Sequence, residues 1–301
     1  MSKFESVAPR EPQAALRKAI DAGDLPLPPG LRSSGWTWWR EYLAMWRALI
    51  RLASVLLSGT CAGWVAGWRL APEQRVPAMR QRATRAFARY FDDLQRAGLL
   101  RLDLTALDAL RDQRSLVVAP NHPSLIDALL MISRLPHSVC IMKAAIGGNA
   151  LFGSGARLCG YISNRRAHSM VREAVEALVE GHQLVVFPEG TRTRRQPVGA
   201  LTGAFALIAR RAKVPVQTVL IETNSEFLGK GWPLWRKPDF PLCYRVRLGP
   251  RIEPGPPVDD VVAEVSQVFE RELGAPRKGP PEARVARHGV AIDVAPHDLV
   301  D

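Results

Sequence analysis

His122 and Asp127 stand five residues apart in "APNHPSLIDALLM", residues 119–131, between an apolar run and a helical one. An imidazole beside a carboxylate can act as a general base. The carboxylate fixes the ring tautomer and supports the positive charge that forms when a hydroxyl gives up its proton. Pro123 suits the first position of a helix, which sets His122 at the helix mouth and Asp127 about one turn further in. The same letters carry a second meaning. Ser124 to Asp127 has the spacing of a capping box, in which Asp127 only accepts a backbone N–H. The segment alone leaves both meanings open.

A second stretch, "LVVFPEGTRTR" from Leu184 to Arg194, reads as a buried strand broken at Pro188 and turned by Gly190. Glu189, Thr191 and Arg192 then project from one short loop. Arg192 offers a planar fork of donors suited to phosphate, and Glu189 is placed to hold that guanidinium. An ordinary strand-to-loop turn with a surface ion pair has the same pattern. A third stretch, "GYISNRR" from Gly160 to Arg166, runs a short apolar strand into Arg165 and Arg166, which either meet an anion or stay solvated. Other chemistries lack their signatures. Ser154 lies in "FGSGA" with Phe152 in place of the first glycine of a nucleophile elbow. There is no phosphate-binding Walker loop and no dinucleotide glycine fingerprint. Cys61, Cys140, Cys159 and Cys243 are scattered, so neither a metal site nor a disulfide framework is expected.

These loops need strands and helices to hold them, and the chain supplies both in alternation. Leu116–Val118, Val139–Met142, Leu184–Phe187, Val216–Ile221 and Tyr244–Leu248 read as strands. Leu125–Ile132, Met170–Glu180 and Gly203–Lys213 read as helices, with Gly181 a stop signal. Such alternation predicts an α/β fold, a central sheet flanked by helices. The 301 residues are enough for a sizeable core. The formal charge of +12, mostly from arginine, favours an anionic partner.

The front of the chain is different. Residues 1–35 are rich in proline and charge and read as a flexible tail without a secretory signal. Six of the eight tryptophans fall between Trp36 and Trp68, and Leu52–Trp68 is 17 residues without a charge. Ten arginines against two acids, Glu41 and Glu73, lie between Arg32 and Arg89. Tryptophan and arginine at the edges of an apolar segment suit a membrane interface, although 17 residues is short for a span. A buried helical hairpin would share this pattern. Arg75–Leu99 reads as an amphipathic helix with Val76, Met79, Ala83, Phe87, Tyr90, Phe91 and Leu94 inward. The expected organisation is therefore a tail over 1–35, a helical membrane-associating region over 36–98, a catalytic body over 99–275 and a C-terminal tail over 276–301.

In their order, "NHPSLID", "GYISNRR", "FPEGTR" and "VPVQTVLIE" (residues 214–222) resemble the signature blocks of the glycerophosphate and lysophosphatidate acyltransferase family. The resemblance covers roughly residues 100–250. It implies the glycerolipid acyltransferase fold, with His122 as base and Asp127 as its orienting partner. It also implies an acceptor-phosphate site at Glu189, Gly190, Thr191 and Arg192, assisted by Arg165, and it aligns Pro215 with the proline of the fourth block. No cofactor or metal is implied. Acyl-CoA or acyl carrier protein serves as thioester co-substrate, and the acceptor is a lysophospholipid such as 1-acylglycerol-3-phosphate. The oxyanion would be held by backbone N–H groups near His122 or by an arginine. Placement on the cytoplasmic face of a bacterial inner membrane follows, peripheral or re-entrant, against anionic lipid.

Two features depart from the family. Leu201 and Thr202 stand where many members have Phe-Lys, and Asn164 stands where aspartate is common. Gly229–Gly249 is similar to acyltransferases of bacterial aryl-polyene gene clusters, so an amino-acid lipid or a polyene-type product is the alternative acceptor. Nucleic-acid binding would suit the charge, but no basic-aromatic module is recognisable. A lipid-binding scaffold with a dead site would lack His122 or Asp127, and both are present.

Overall fold

Trp36 to Trp68 contains no proline and no run of β-branched residues, and it lies within one continuous helix, α1 (Gly35–Arg69), in a computed structural model of the chain. The structure describes residues 27, 30–144, 153–193 and 198–274. The tail expected at 276–301 lies outside the described residues, as does most of the one expected at 1–35. The helix α2 (Pro72–Arg96) follows, with Pro72 in its first turn, where the missing N–H costs nothing. It turns back along α1: Tyr90 Oη donates to the carbonyl of Ala48, and Arg51 pairs with Asp93. Of the positions expected inward, Met79, Phe87, Tyr90 and Phe91 are buried.

The body then alternates. In order come β1 (Leu100–Asp103), a 3-10 turn (Thr105–Leu110), β2 (Leu116–Pro120), α3 (Asp127–Arg134), β3 (Ser138–Met142) and α4 (Gly153–Leu158). These are followed by β4 (Ile162–Ser163), α5 (Ala167–Val179), β5 (Gln183–Val185), α6 (Ala204–Ala212), β6 (Val216–Thr223), β7 (Leu242–Ile252) and α7 (Val258–Gly274). One seven-stranded sheet runs β1-β7-β6-β2-β5-β3-β4. From β6 to β4 all neighbours are parallel, whereas β7 is antiparallel to β6 and parallel to β1.

β2 lies mid-sheet and is buried throughout. Its side chains alternate between two cores, as the period of a strand requires. Leu116 and Val118 face a layer with Phe87, Tyr90, Leu130 and Met131; Val117 and Ala119 face one with Ala174, Phe205, Val265 and Phe269. The α1–α2 pair and α3 thus cover one face, and α5, α6 and α7 the other. The parallel strands β2, β5, β3, β4 and β6 end on the same edge of the sheet, the usual place for a site in an α/β layer fold.

The elements differ from the expected ones mostly at their ends. α3 begins at Asp127, not at Pro123, so Asp127 opens the helix and the four residues before it form a turn. α7 and β1 were not anticipated, whereas the helical region expected from residue 36 opens with α1 at Gly35.

Candidate active site

β2 ends at Pro120, and Asn121 and His122 follow it at the sheet edge. Asn121 is buried and ties this end of β2 to β6: its Nδ2 donates to Ile221 O at 3.0 Å, and its Oδ1 accepts from Ile221 N at 2.7 Å. The next residue, His122, is thereby held at the mouth of the edge. Its Nδ1 lies 2.9 Å from Asp127 Oδ2. A carboxylate acceptor there puts the ring proton on Nδ1 and leaves Nε2 as the basic nitrogen. The His122 side chain keeps 16% of its surface exposed while Asp127 keeps none. The imidazole lies on the Phe187 ring, with centroids 3.9 Å apart and an interplanar angle of 22°.

Both meanings of "SLID" are present on one atom. Asp127 Oδ2 also accepts the Ser124 N–H at 2.7 Å. The other half of a capping box is missing, because Ser124 Oγ donates to Phe227 O instead. Burial pushes the Asp127 carboxyl above the usual carboxylate range, and the contacts with His122 and the Ser124 N–H pull against that shift. Oδ1 of Asp127 is buried without a partner among the described residues.

The loop after β5 carries the second block. Gly190 has φ +60°, a conformation that favours glycine, and its N–H closes a turn onto Phe187 O at 2.9 Å. Glu189 is buried, and it does not hold Arg192. Its Oε1 accepts the backbone N–H of His122 at 3.0 Å and the hydroxyl of Thr193 at 2.7 Å, and its Oε2 accepts the N–H of Gly199 at 2.8 Å. Thr193 N–H in turn donates to His122 O at 2.7 Å. The backbone of the histidine is therefore gripped on both sides, by Glu189 of the FPEGTR block and by Thr193 just after it. A Cβ at Gly199 would sit 2.9 Å from Glu189 Oε2, so any larger residue there makes that carboxylate shift.

Arg192 is half-buried, and its Nη1 donates to Leu228 O at 2.8 Å and Gly229 O at 3.0 Å. Those carbonyls belong to the loop after β6. That loop also receives Leu125 N–H on Leu228 O at 3.1 Å. Lys230 Nζ donates to Thr191 Oγ1 at 3.1 Å. Arg165 sits exposed in the turn after β4. It shares the edge with His122 and Glu189 but stands two strands out from β5, about 10 Å along the sheet. Of the expected site residues, His122, Asp127, Glu189, Gly190, Thr191 and Arg192 form one connected cluster, and Arg165 flanks it.

Asn121, Thr193, Gly199, Leu228 and Gly229 were not anticipated. Thr193 was within sight, one residue beyond the FPEGTR block. The others act through backbone groups or through a contact at long sequence separation, which leave no compositional mark. Among the described residues, no three His, Cys, Asp or Glu side chains gather as a metal cluster would require.

Residues 101–222 match the family model described as Acyltransferase. No curated protein matches the sequence. Among solved structures, the fold is similar to that of the 1-acyl-sn-glycerophosphate (LPA) acyltransferase PlsC from Thermotoga maritima. The TM-score is 0.58 and the identity 20%, over 77% of this chain and 92% of that one. The segment that matches the Acyltransferase model holds His122, Asp127, Arg165 and the whole FPEGTR block, and the sheet that positions them has the fold of the solved acyltransferase.

Proposed function

We propose that this acyltransferase moves a fatty acyl group from an acyl-CoA or acyl carrier protein thioester to the hydroxyl of a lysophospholipid such as 1-acylglycerol-3-phosphate. His122 Nε2 removes the hydroxyl proton. The freed oxygen attacks the thioester carbonyl and forms a tetrahedral oxyanion, which collapses with cleavage of the C–S bond. The imidazolium returns its proton to the departing thiolate. Asp127 supports the imidazolium through Nδ1, and no covalent acyl-enzyme is formed. Arg192 faces the acceptor phosphate, with Arg165 further out on the same edge. The observation that carries this reading is the 2.9 Å contact of His122 with the fully buried Asp127, on the same edge as a half-buried arginine. The test is turnover by His122→Ala with a thioester donor and lysolipid acceptor. Loss of acyl transfer in a folded protein is expected, and near-normal turnover would sink the mechanism.

The α1–α2 pair supports a membrane location. Gly35–Gly63 is 29 residues, long and apolar enough to cross a membrane, and only 11% of its most apolar window is buried. Trp36, Trp39, Leu43, Trp46, Ile50 and Leu57 are exposed along it at spacings of three, four and seven, which put them on one face. Met45 and Leu52 on the other face are buried against the body, and Gly63 lets Leu158 of α4 come into close contact. A helix fixed to the body along one side lies on a bilayer more readily than it crosses one. Beside it, Arg82, Arg85 and Arg89 are exposed on α2 without a carboxylate partner among the described residues. We therefore place the enzyme on an anionic leaflet, the cytoplasmic face of the inner membrane, attached peripherally.

A further inference from the structure

We infer that Tyr244 is a positioning residue for the His122–Asp127 pair, its hydroxyl joined to Asp127 Oδ1 through one enclosed water. The inference deepens the reading of His122 as base and rests on it.

Tyr244 lies on β7, in register with Thr223 of β6 and Leu102 of β1. Its side chain belongs to the core layer that holds Leu130 and Met131 of α3, the helix that Asp127 opens. Only 1% of Tyr244 is exposed. A phenol hydroxyl buried this far normally finds a partner. Among the described residues Tyr244 Oη has none, and neither has Asp127 Oδ1. The first is a donor lacking an acceptor, and the second is an acceptor lacking a donor.

Ser124 brings the two into one neighbourhood. Its N–H lies 2.7 Å from Asp127 Oδ2, while its side chain, with that of Thr223, stands beside the Tyr244 hydroxyl. Both of those hydroxyls send their protons elsewhere. Ser124 Oγ donates to Phe227 O at 2.8 Å, and Thr223 Oγ1 to Ser225 O at 3.3 Å. Burial, and after it the charge of Asp127, raise the pKa of the phenol, so the hydroxyl keeps its proton while the enzyme works. Tyr244 Oη, Asp127 Oδ1 and the two hydroxyl oxygens supply the polar partners that an enclosed water needs. The water accepts from the phenol and donates to the carboxylate. Oδ2 is then held by His122 and the Ser124 N–H, and Oδ1 by the water. The carboxylate has one orientation, and the imidazole follows it. A donor at Oδ1 also favours the ionised carboxylate against burial and against the like charge of Glu189 on the loop after β5.

The experiment compares Tyr244→Phe with Tyr90→Phe in the full chain, with a thioester donor and a lysolipid acceptor. Tyr90 is a buried tyrosine of the same layer, and its hydroxyl serves Ala48 O on α1. For Tyr244→Phe we expect kcat to fall about tenfold, the worth of one hydrogen bond to a charged group, with acceptor KM little changed. The acid limb of its pH–rate profile should move to higher pH, because Asp127 protonates more readily. Tyr90→Phe should leave that limb in place. An unmoved limb in Tyr244→Phe overturns the proposal, and so does an equal move in Tyr90→Phe. A wild-type protein that transfers no acyl group defeats the base reading, and the contact with Asp127 is then read from stability. The melting temperature of Tyr244→Phe should fall relative to wild type as pH rises through the range where the folded carboxyl ionises. A flat difference there overturns the contact itself.

Discussion

Glu189 accepts the backbone N–H of His122 across the edge of the sheet, 67 residues away in sequence, and Thr193 closes the pair by donating to His122 O. The acid of the FPEGTR block therefore positions the base of the first block and leaves Arg192 to the loop after β6. Glu189→Gln puts an amide donor against groups that are themselves donors, leaving a buried group unsatisfied at a cost of about 1–3 kcal/mol. We expect a lower melting temperature and a fall in kcat larger than the rise in KM for the acceptor. A change confined to acceptor KM would return Glu189 to the phosphate site.

Gly199→Ala tests the same grip from its other end. The added methyl would press on Glu189 Oε2 and shift the carboxylate that also accepts the His122 N–H. The expected outcome is a drop in kcat with little change in melting temperature, since Gly199 itself is half-buried in a loop. Unchanged kcat would mean that the carboxylate shifts without disturbing the histidine.

Asp127 serves two partners with one oxygen, so one substitution can separate them. Asn at 127 still accepts the Ser124 N–H but cannot support an imidazolium. We expect Asp127→Asn to fold and to lose about 10²-fold or more in kcat, the scale of general-base catalysis. The pH dependence of stability has a definite sign. Burial raises the Asp127 pKa above the ordinary aspartate value of 3.8, so in the window just above 3.8 the folded state holds a proton that the unfolded state has released. This carboxyl therefore lowers stability as pH rises through that window. The melting temperature of Asp127→Asn relative to wild type should climb with pH from 3.8 upward and level off once the folded carboxyl has ionised. A flat difference would show that the His122 and Ser124 contacts offset burial completely.

Arg192→Lys removes a guanidinium that spans two carbonyls. Lysine keeps the charge but not the fork, so acceptor KM should rise about tenfold, roughly 1.4 kcal/mol. The loop at 225–231 should also become more open to proteolysis, because one of its three anchors is gone. Donor KM rising instead would exchange the two subsites.

How far the sequence foretold this site depends on which atoms do the positioning. His122 and Asp127 are side chain to side chain at short separation, so their pairing was legible from spacing. The alternation of Leu116–Val118 with later strands was legible because β2 is buried on both faces. Glu189 was misassigned to Arg192 because both lie in one loop, whereas its true partners are backbone groups at His122 and Gly199, which carry no sequence label. Arg192 likewise finds carbonyls of residues 228 and 229. The helical region expected from residue 36 opens with α1, and that Gly35–Arg69 is one unbroken helix follows from its continuous absence of helix breakers.

The surface of the α1–α2 pair makes the last prediction. Trp36, Trp39 and Trp46 are 78%, 57% and 36% exposed on one face of α1, and Arg82, Arg85 and Arg89 are exposed on α2 further along the pair, where Arg82 and Arg85 lie near Ser58 and Val65 of α1. A basic side chain close to an anionic leaflet contributes about 1 kcal/mol, so three contribute about 3 kcal/mol, roughly 10²-fold in partitioning, and salt screens this share. Burial of tryptophan at the interface is not screened. Sedimentation with vesicles separates the two. Arg82→Gln, Arg85→Gln and Arg89→Gln together should weaken binding to anionic vesicles at low salt and matter little at high salt. Trp36→Ala, Trp39→Ala and Trp46→Ala together should weaken binding at both. If the full-length wild-type protein stays in the supernatant with anionic vesicles at low salt, the exposed stripe on α1 is not a membrane face.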